Sequence, residues 1–256
     1  MSMTMIEIEA TLKQLRLSGI RATLETRVLE ARVSNPPFLE TFSALLQDEL
    51  DRRHSRLLDR RYQLSGLDER ALLAEFDWGY NLKIPKRTCF ELHTLKFIAE
   101  GDCAILIGPP GTGKSHAAKA IAYAALRTGM RVHYTEADDL LATLMQTTPA
   151  ERRKLIKPVL DADLLVLDDL FLARQLAPEG ADELQSLLHK RYKLRRSVLI
   201  TSNRIIDDWE KYLGDAALST AILDRLMHRS VLVEFKGKSY RLKEAAGRLA
   251  KNAASE

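Results

Sequence analysis

The octapeptide Gly108-Pro109-Pro110-Gly111-Thr112-Gly113-Lys114-Ser115 has the spacing GxxxxGK[ST]. These residue types at this spacing suit a dense polyanion. Glycines let backbone N–H groups curl around phosphate oxygens with no Cβ in the way. A helix that starts at the end of the octapeptide adds the positive end of its dipole. Lys114 is then placed to reach the β- and γ-phosphates of a nucleoside triphosphate, and the Ser115 hydroxyl to ligate Mg²⁺. The expected ligands are ATP and Mg²⁺, and His116, the next residue, is counted with the octapeptide in the nucleotide-binding set.

Two further segments fit the same chemistry. Leu164 to Leu167 is an apolar run ending in Asp168-Asp169. Acids at the carboxyl end of a buried strand lie where open α/β sheets place ligands. Asp168 is expected to hold Mg²⁺ through its water shell, and Asp169 to orient or polarise the attacking water. Val198 to Thr201 leads into Thr201-Ser202-Asn203-Arg204. Asn203 either contacts the γ-phosphate or its attacking water, or simply makes the turn that asparagine favours.

The elements that must position these groups are readable from hydrophobic periodicity. Short apolar runs at Cys103 to Ile107, Val132 to Tyr134, Leu164 to Leu167, Val198 to Thr201 and Val231 to Phe235 read as strands. Helical stretches such as Ser115 to Arg127 and Glu179 to Tyr192 fall between them. That alternation predicts an α/β P-loop core with a five-stranded parallel sheet and helices on both faces. Residues 1–75 read instead as an all-helical N-terminal domain, which leaves 76–256 for the nucleotide-binding domain. Leu12, Leu15, Ile20, Leu24 and Leu29 recur at helical spacing up to a break at Ser34 to Pro37, and a second helix is expected from Phe38 to about Tyr62. Phe76 to Pro85 mixes aromatics, Gly and Pro and suits a linker or docking segment.

Composition sets the outer bounds. Of the 256 residues 46% are hydrophobic, enough for a sizeable core. No apolar run reaches the roughly 18 residues of a membrane span, and the first ten residues lack the pattern of a secretory signal. Cys89 and Cys103 form no CxxC, and they read as reduced thiols of a cytoplasmic protein. The six histidines show no HExxH or paired-ligand spacing, and no set of acids stands out as a nuclease or strand-transfer centre. Cutting and joining of DNA are therefore not expected of this chain itself.

The formal charge of +4 is modest, but it is clustered. Arg52, Arg53, Arg56, Arg60 and Arg61 crowd one helix. Lys190, Arg191, Lys193, Arg195 and Arg196 form a second cluster, and Arg152, Arg153, Lys154 and Lys157 a third. Such stripes either contact duplex DNA through its phosphates, without strong sequence preference, or form solvated faces neutralised by acids such as Asp48, Glu49, Asp51 and Asp59. Arg52, Arg53, Arg56, Arg60, Lys190 and Arg191 are the candidate DNA contacts.

In this order GPPGTGKS, LLVLDD and TSNR resemble the Walker A, Walker B and sensor-1 elements of the AAA+ ATPases. The Asp-Asp ending departs from the commoner Asp-Glu and is similar to that of the DnaA/DnaC-like initiator and helicase-loader group. Within that group the segments DELDRRHSRLLDRR, LLAEFDW, LLVLDD and ILDRLMHRSVLVEFKGKSYRLKEA look like the IstB family, helper ATPases of bacterial insertion-sequence transposition. The resemblance spans roughly residues 5–245. It implies DNA-stimulated ATP hydrolysis, ATP-driven self-assembly on DNA and a cognate transposase as partner. It also implies an arginine finger acting in trans, Arg225, with Arg229 as the competing position, and a sensor-2-like role for Arg241. The N-terminal domain would serve oligomer, DNA or transposase contacts. Only about twenty residues follow Phe235, so the C-terminal lid is expected to be reduced and a neighbouring subunit to complete the site in a homo-oligomer. The rival readings are a DnaC-like replicative helicase loader and a nucleotide-gated DNA scaffold with little turnover.

Overall fold

Thr4 opens the first helix with a capping box: its side chain accepts the Glu7 N–H, and Glu7 reaches back to the Thr4 N–H. The computed structural model describes residues 3–172 and 175–253. Its N-terminal part comprises α1 (Met5–Gln14), α2 (Ser18–Ser34) and α3 (Phe38–Ser65). The stretch before Ser34 is thus two helices rather than one. Arg16 takes a left-handed φ of 58° between them, a break that the uninterrupted apolar spacing conceals. It precedes a close crossing of α2 on α3. A Cβ on Gly19 would come within 2.5 Å of Glu49 Cα, and the Gly19 N–H donates to Glu49 Oε2 at 2.6 Å.

The chain divides into two compact units, Met1–Arg60 and Arg61–Glu256, so the division falls inside α3 and upstream of residue 75. The reason is local. Tyr62 meets the Tyr123 ring edge-on at 6.2 Å, Gly66 lies against the Tyr134 carbonyl, and Leu73 is buried in a 3-10 turn. The second unit continues with α4 (Lys86–His93), α5 (Lys96–Glu100), β1 (Cys103–Ile107), α6 (Lys114–Arg127), β2 (Val132–Glu136), α7 (Ala137–Gln146) and α8 (Pro149–Asp161). Then follow β3 (Leu164–Leu170), α9 (Pro178–Lys193), β4 (Ser197–Ser202), α10 (Trp209–Leu213), α11 (Ala216–His228), β5 (Ser230–Glu234) and α12 (Tyr240–Ala253).

The five strands form one parallel sheet in the order β2-β3-β4-β1-β5. Its central strands are buried on both faces, which is why β1 (CAILI) and the start of β3 (LLVL) read as unbroken apolar runs. Ile105, Leu165 and Ile200 cluster with Leu184 and Leu187 of α9 and Ile222 of α11. Each such fully buried side chain contributes about 1.5–3 kcal/mol relative to exposure. The helix α6 packs on the sheet through Ala117, Ala118 and Ile121, small enough in the first two cases for close approach. No helix among the described residues is long and apolar enough to cross a membrane.

One expected DNA contact is overturned. Arg191 is 0% exposed. Its guanidinium donates to the carbonyls of Val159 (2.6 Å), Leu160 (3.4 Å), Ala162 (3.1 Å) and Ser197 (2.6 Å), so it staples the end of α8 to the start of β4 and has no surface to offer a phosphate. Lys190, one residue earlier, is exposed.

Candidate nucleotide site

The phosphate-loop octapeptide joins β1 to α6. Gly111 and Gly113 adopt φ of 75° and 99°, values that L side chains resist. Both are also crowded: a Cβ on Gly111 would sit 2.1 Å from Ser239 Oγ, and one on Gly113 would sit 2.5 Å from the Phe76 ring. Gly113 is the N-cap of α6, so the free N–H groups of that helix's first turn open onto the loop. Lys114 is only 4% exposed, and its ammonium donates to Pro109 O at 3.0 Å and to Asn203 Oδ1 at 2.6 Å. Asn203 is thereby brought from the end of β4 onto the phosphate-loop lysine.

Burial pushes the Lys114 ammonium down to about 8, against the pull of Asp169 and Asp168 and with a further push from Arg241. A lysine in that range is charged at neutral pH and loses its charge as pH rises. Nucleotide affinity is therefore expected to weaken by roughly an order of magnitude between pH 7.5 and 9.5. Fluorescent-nucleotide titrations across that range check it. Lys114→Arg, which stays charged, should flatten the dependence, and a flat wild-type profile would count against a phosphate-binding Lys114.

The two acids are separated by the backbone. In a straight strand adjacent side chains point to opposite faces. Here the β3–β4 register slips between Leu167 and Leu170, and Asp169 takes a left-handed φ of 52°. Such irregularities re-aim side chains next to functional sites. Asp168 stays 4% exposed and accepts hydrogen bonds from Tyr134 Oη at 2.5 Å and from Thr201 Oγ1. Asp169 turns into the cavity, while its N–H donates to Thr201 Oγ1 at 2.8 Å. Burial and then the neighbouring Asp168 carboxylate raise the Asp169 pKa, offset in part by Lys114 and Arg241.

Lys114, Asp169 and Asn203 line a cavity of about 600 Å³, with Asp168 outside its lining and close enough to Lys114 to act on its charge. Its walls include Pro110 through His116, Asp169 and Asn203, together with Arg241 and Glu244 of α12. The far side is built by residues that sequence reasoning did not single out: Phe76, Tyr80 and Asn81 from the linker and Tyr240 from α12. Asn81, Tyr80 and Tyr240 are held by long-range hydrogen bonds. The Asn81 amide exchanges two hydrogen bonds with the Lys238 backbone (2.9 and 3.0 Å), Tyr80 Oη donates to Ser239 O at 3.2 Å, and the Tyr240 N–H donates to Gly111 O at 2.8 Å. The mixture of aromatics with Gly and Pro in the linker was the available signal. A larger groove of about 920 Å³, between Gln175 and Leu218, is lined among the described residues by the acids Asp182 and Asp215, which disfavour a triphosphate.

No group of three His, Cys, Asp or Glu side chains among the described residues forms an all-protein metal cage. The donor chemistry nonetheless fits Mg²⁺, which keeps several waters and takes only one or two protein ligands. Ser115 lines the cavity, and Asp168 is a buried carboxylate whose bonded partners are neutral hydroxyls.

Arg225 does not join this cavity. Its Nε donates to His189 Nδ1 at 3.1 Å, and the guanidinium also bonds Ala221 O within α11. Arg229 lies with Glu100, Asp102 and Arg195 in a separate shallow pocket.

The model of the IstB-like ATP binding protein family matches residues 10–247. The chain belongs to the IstB-like ATP-binding family. A protein of Pseudomonas aeruginosa named as an ATP-binding protein of insertion sequence IS21 is 35% identical over 97% of this chain and 94% of its own. A similarly named insertion-sequence protein of Mycobacterium tuberculosis is 31% identical over 93% and 94%. Among solved structures, AMPPCP-bound DnaA from Aquifex aeolicus superposes with a TM-score of 0.53 at 24% identity, covering 73% of this chain and 56% of that one. The DnaC helicase loader superposes at 0.50 and 22%, covering 62% and 98%. The IstB-like chain therefore has the α/β P-loop fold of the AAA+ proteins, preceded by a helical N-terminal region.

Proposed function

We propose that this IstB-like protein is a Mg²⁺-dependent ATPase that assists an insertion-sequence transposase, assembling with ATP into a homo-oligomer on duplex DNA and leaving that state on hydrolysis. The observation that carries the proposal is the convergence of Lys114, Asn203, Asp168 and Asp169, from three separate strand ends, beside the α6 N-terminus. Lys114 and the loop N–H groups bind the phosphates. Ser115 and Asp168 would hold Mg²⁺, which neutralises developing charge when bound. Asp169 orients the attacking water and draws off its proton, and Asn203 registers the terminal phosphate. The names of the relatives, which place them in insertion sequences, support the transposase as partner.

The surface chemistry supports duplex DNA. Two of the acids near the α3 arginines are engaged by α2: Asp48 pairs with Arg27 at 2.8 Å and accepts from Thr23, and Glu49 takes the Gly19 N–H. Arg53 is tied to Glu49 at 2.7 Å, while Arg52, Arg56 and Arg60 are exposed. Such contacts read backbone charge and not sequence.

The test is Lys114→Ala. Its ammonium would make charge-assisted contacts to the β- and γ-phosphates of about 1.5–3 kcal/mol each, so losing both weakens ATP binding at least ~100-fold. Light scattering should then detect no ATP-dependent assembly, and assembly retained in ATP would end the proposal. Affinity capture that recovers a replicative helicase and no transposase would favour a helicase loader instead. ATP turnover near zero with or without DNA would favour a scaffold.

A further inference from the structure

Asp168 is a buried carboxylate whose two oxygens each meet a neutral hydroxyl. Tyr134 Oη on β2 donates to Oδ2 at 2.5 Å, and Thr201 Oγ1 on β4 donates to Oδ1. The two donors come from the strands on either side of β3. In the β2–β3 register Tyr134 pairs with Val166 and Glu136 with Asp168, so the phenol reaches its acceptor along the diagonal. Thr201 is fully buried and makes a second contact, in which its oxygen accepts the Asp169 N–H at 2.8 Å. It therefore ties the Asp168 carboxylate to the left-handed turn that aims Asp169 into the cavity. Tyr134 is itself braced. Its ring lies 5.5 Å from Lys119 Nζ, which pairs with Asp68 at 2.7 Å, and its carbonyl packs on Gly66.

The choice of donors has a consequence. An arginine or lysine in either place would hold the carboxylate as firmly, but it would neutralise the charge and compete with a cation. Hydroxyls fix the orientation without themselves neutralising the carboxylate. A carboxylate that must accept hydrogen bonds from the water shell of a hard dication needs both properties.

We propose that Tyr134 is a positioning residue which, with Thr201, forms a charge-preserving clamp that holds Asp168 toward the metal accompanying the nucleotide. The inference rests on the reading of Asp168 as the metal-serving acid. Full-length Tyr134→Phe, Thr201→Val, Thr201→Ser and Asp168→Asn are to be compared for equilibrium binding of a fluorescent ATP analogue, in EDTA and in Mg²⁺, with ligand-free thermal melts alongside. Asp168→Asn should lose the Mg²⁺-dependent gain in affinity. Tyr134→Phe and Thr201→Val should reduce that gain about tenfold, the usual cost of removing an outer-shell partner, while binding in EDTA is unchanged. Thr201→Ser, which keeps the hydroxyl, should restore it. A tyrosine that only packs would lower the melting temperature, or weaken binding equally in both conditions, and that result overturns the clamp. A full metal-dependent gain in Tyr134→Phe beside a defective Asp168→Asn overturns the clamp alone. Retention of the gain in Asp168→Asn overturns the underlying reading of that acid, and the clamp with it. Should Thr201→Val not fold, the Tyr134→Phe comparison decides between these outcomes.

Discussion

Asp169→Asn is expected to bind ATP with nearly wild-type affinity and to hydrolyse it about a thousandfold more slowly, within the range of 10²–10⁴ attributed to a positioned general base. The substitution preserves shape. The Asp169 N–H still donates to Thr201, and the left-handed backbone at residue 169 is one that asparagine tolerates. What disappears is the only property the amide lacks, a basic oxygen facing the cavity. The pH profile offers a separate check. Burial and Asp168 hold the Asp169 pKa above the ordinary aspartate value, so turnover in the wild type should rise as pH climbs through the raised pKa, above the ordinary aspartate range. It should fall again as Lys114 loses its proton near 8. The residual activity of Asp169→Asn should lack the acid limb and keep the alkaline one. Single-turnover hydrolysis, with ATP affinity measured in parallel, separates the two quantities. Loss of binding instead of turnover would show that Asp169 serves the phosphates and not the water.

The strands and the phosphate loop were legible for a physical reason. A strand buried on both faces must be apolar throughout, and a loop that wraps a triphosphate must be glycine-rich, so each leaves a local mark. The β3 strand is legible only to Leu167, because Asp168 and Asp169 interrupt the apolar run although the strand continues to Leu170. Tyr80, Asn81 and Tyr240 reach the cavity through bonds spanning more than a hundred positions, which no window of sequence contains. Arg191 is more instructive, since the signal was present. On α9 the buried positions run Ala181, Leu184, Leu187, Leu188 and Arg191, a single helical stripe, whereas Lys190 lies off it and is exposed. Grouping residues by charge placed Arg191 with its basic neighbours, and helical phase would have placed it in the core. Similarly, the acids beside the α3 arginines looked able to neutralise them, and only the crossing with α2 reveals that Asp48 is already paired with Arg27.

Arg225→Ala is expected to lower turnover by 10³–10⁵ while leaving ATP binding intact, the range associated with arginine fingers. Arg225 does not line the cavity of its own chain, and its guanidinium is engaged by His189 and Ala221 on the α9–α11 side of the sheet. A finger so placed has to act on a neighbour's nucleotide, and mixing reveals this. In assemblies of Arg225→Ala with Asp169→Asn, each parent alone is inactive, but an Asp169→Asn subunit still presents its Arg225 to an adjoining Arg225→Ala site that retains Asp169. Such junctions contain every group the reaction needs, so activity should reappear on mixing and pass through a maximum as the ratio is varied. A finger acting within its own chain would give no recovery at any ratio. The same series with Arg229→Ala tests the competing position. If Arg229→Ala loses turnover and is rescued while Arg225→Ala keeps its activity, then Arg229 is the finger and the bond from Arg225 to His189 is structural.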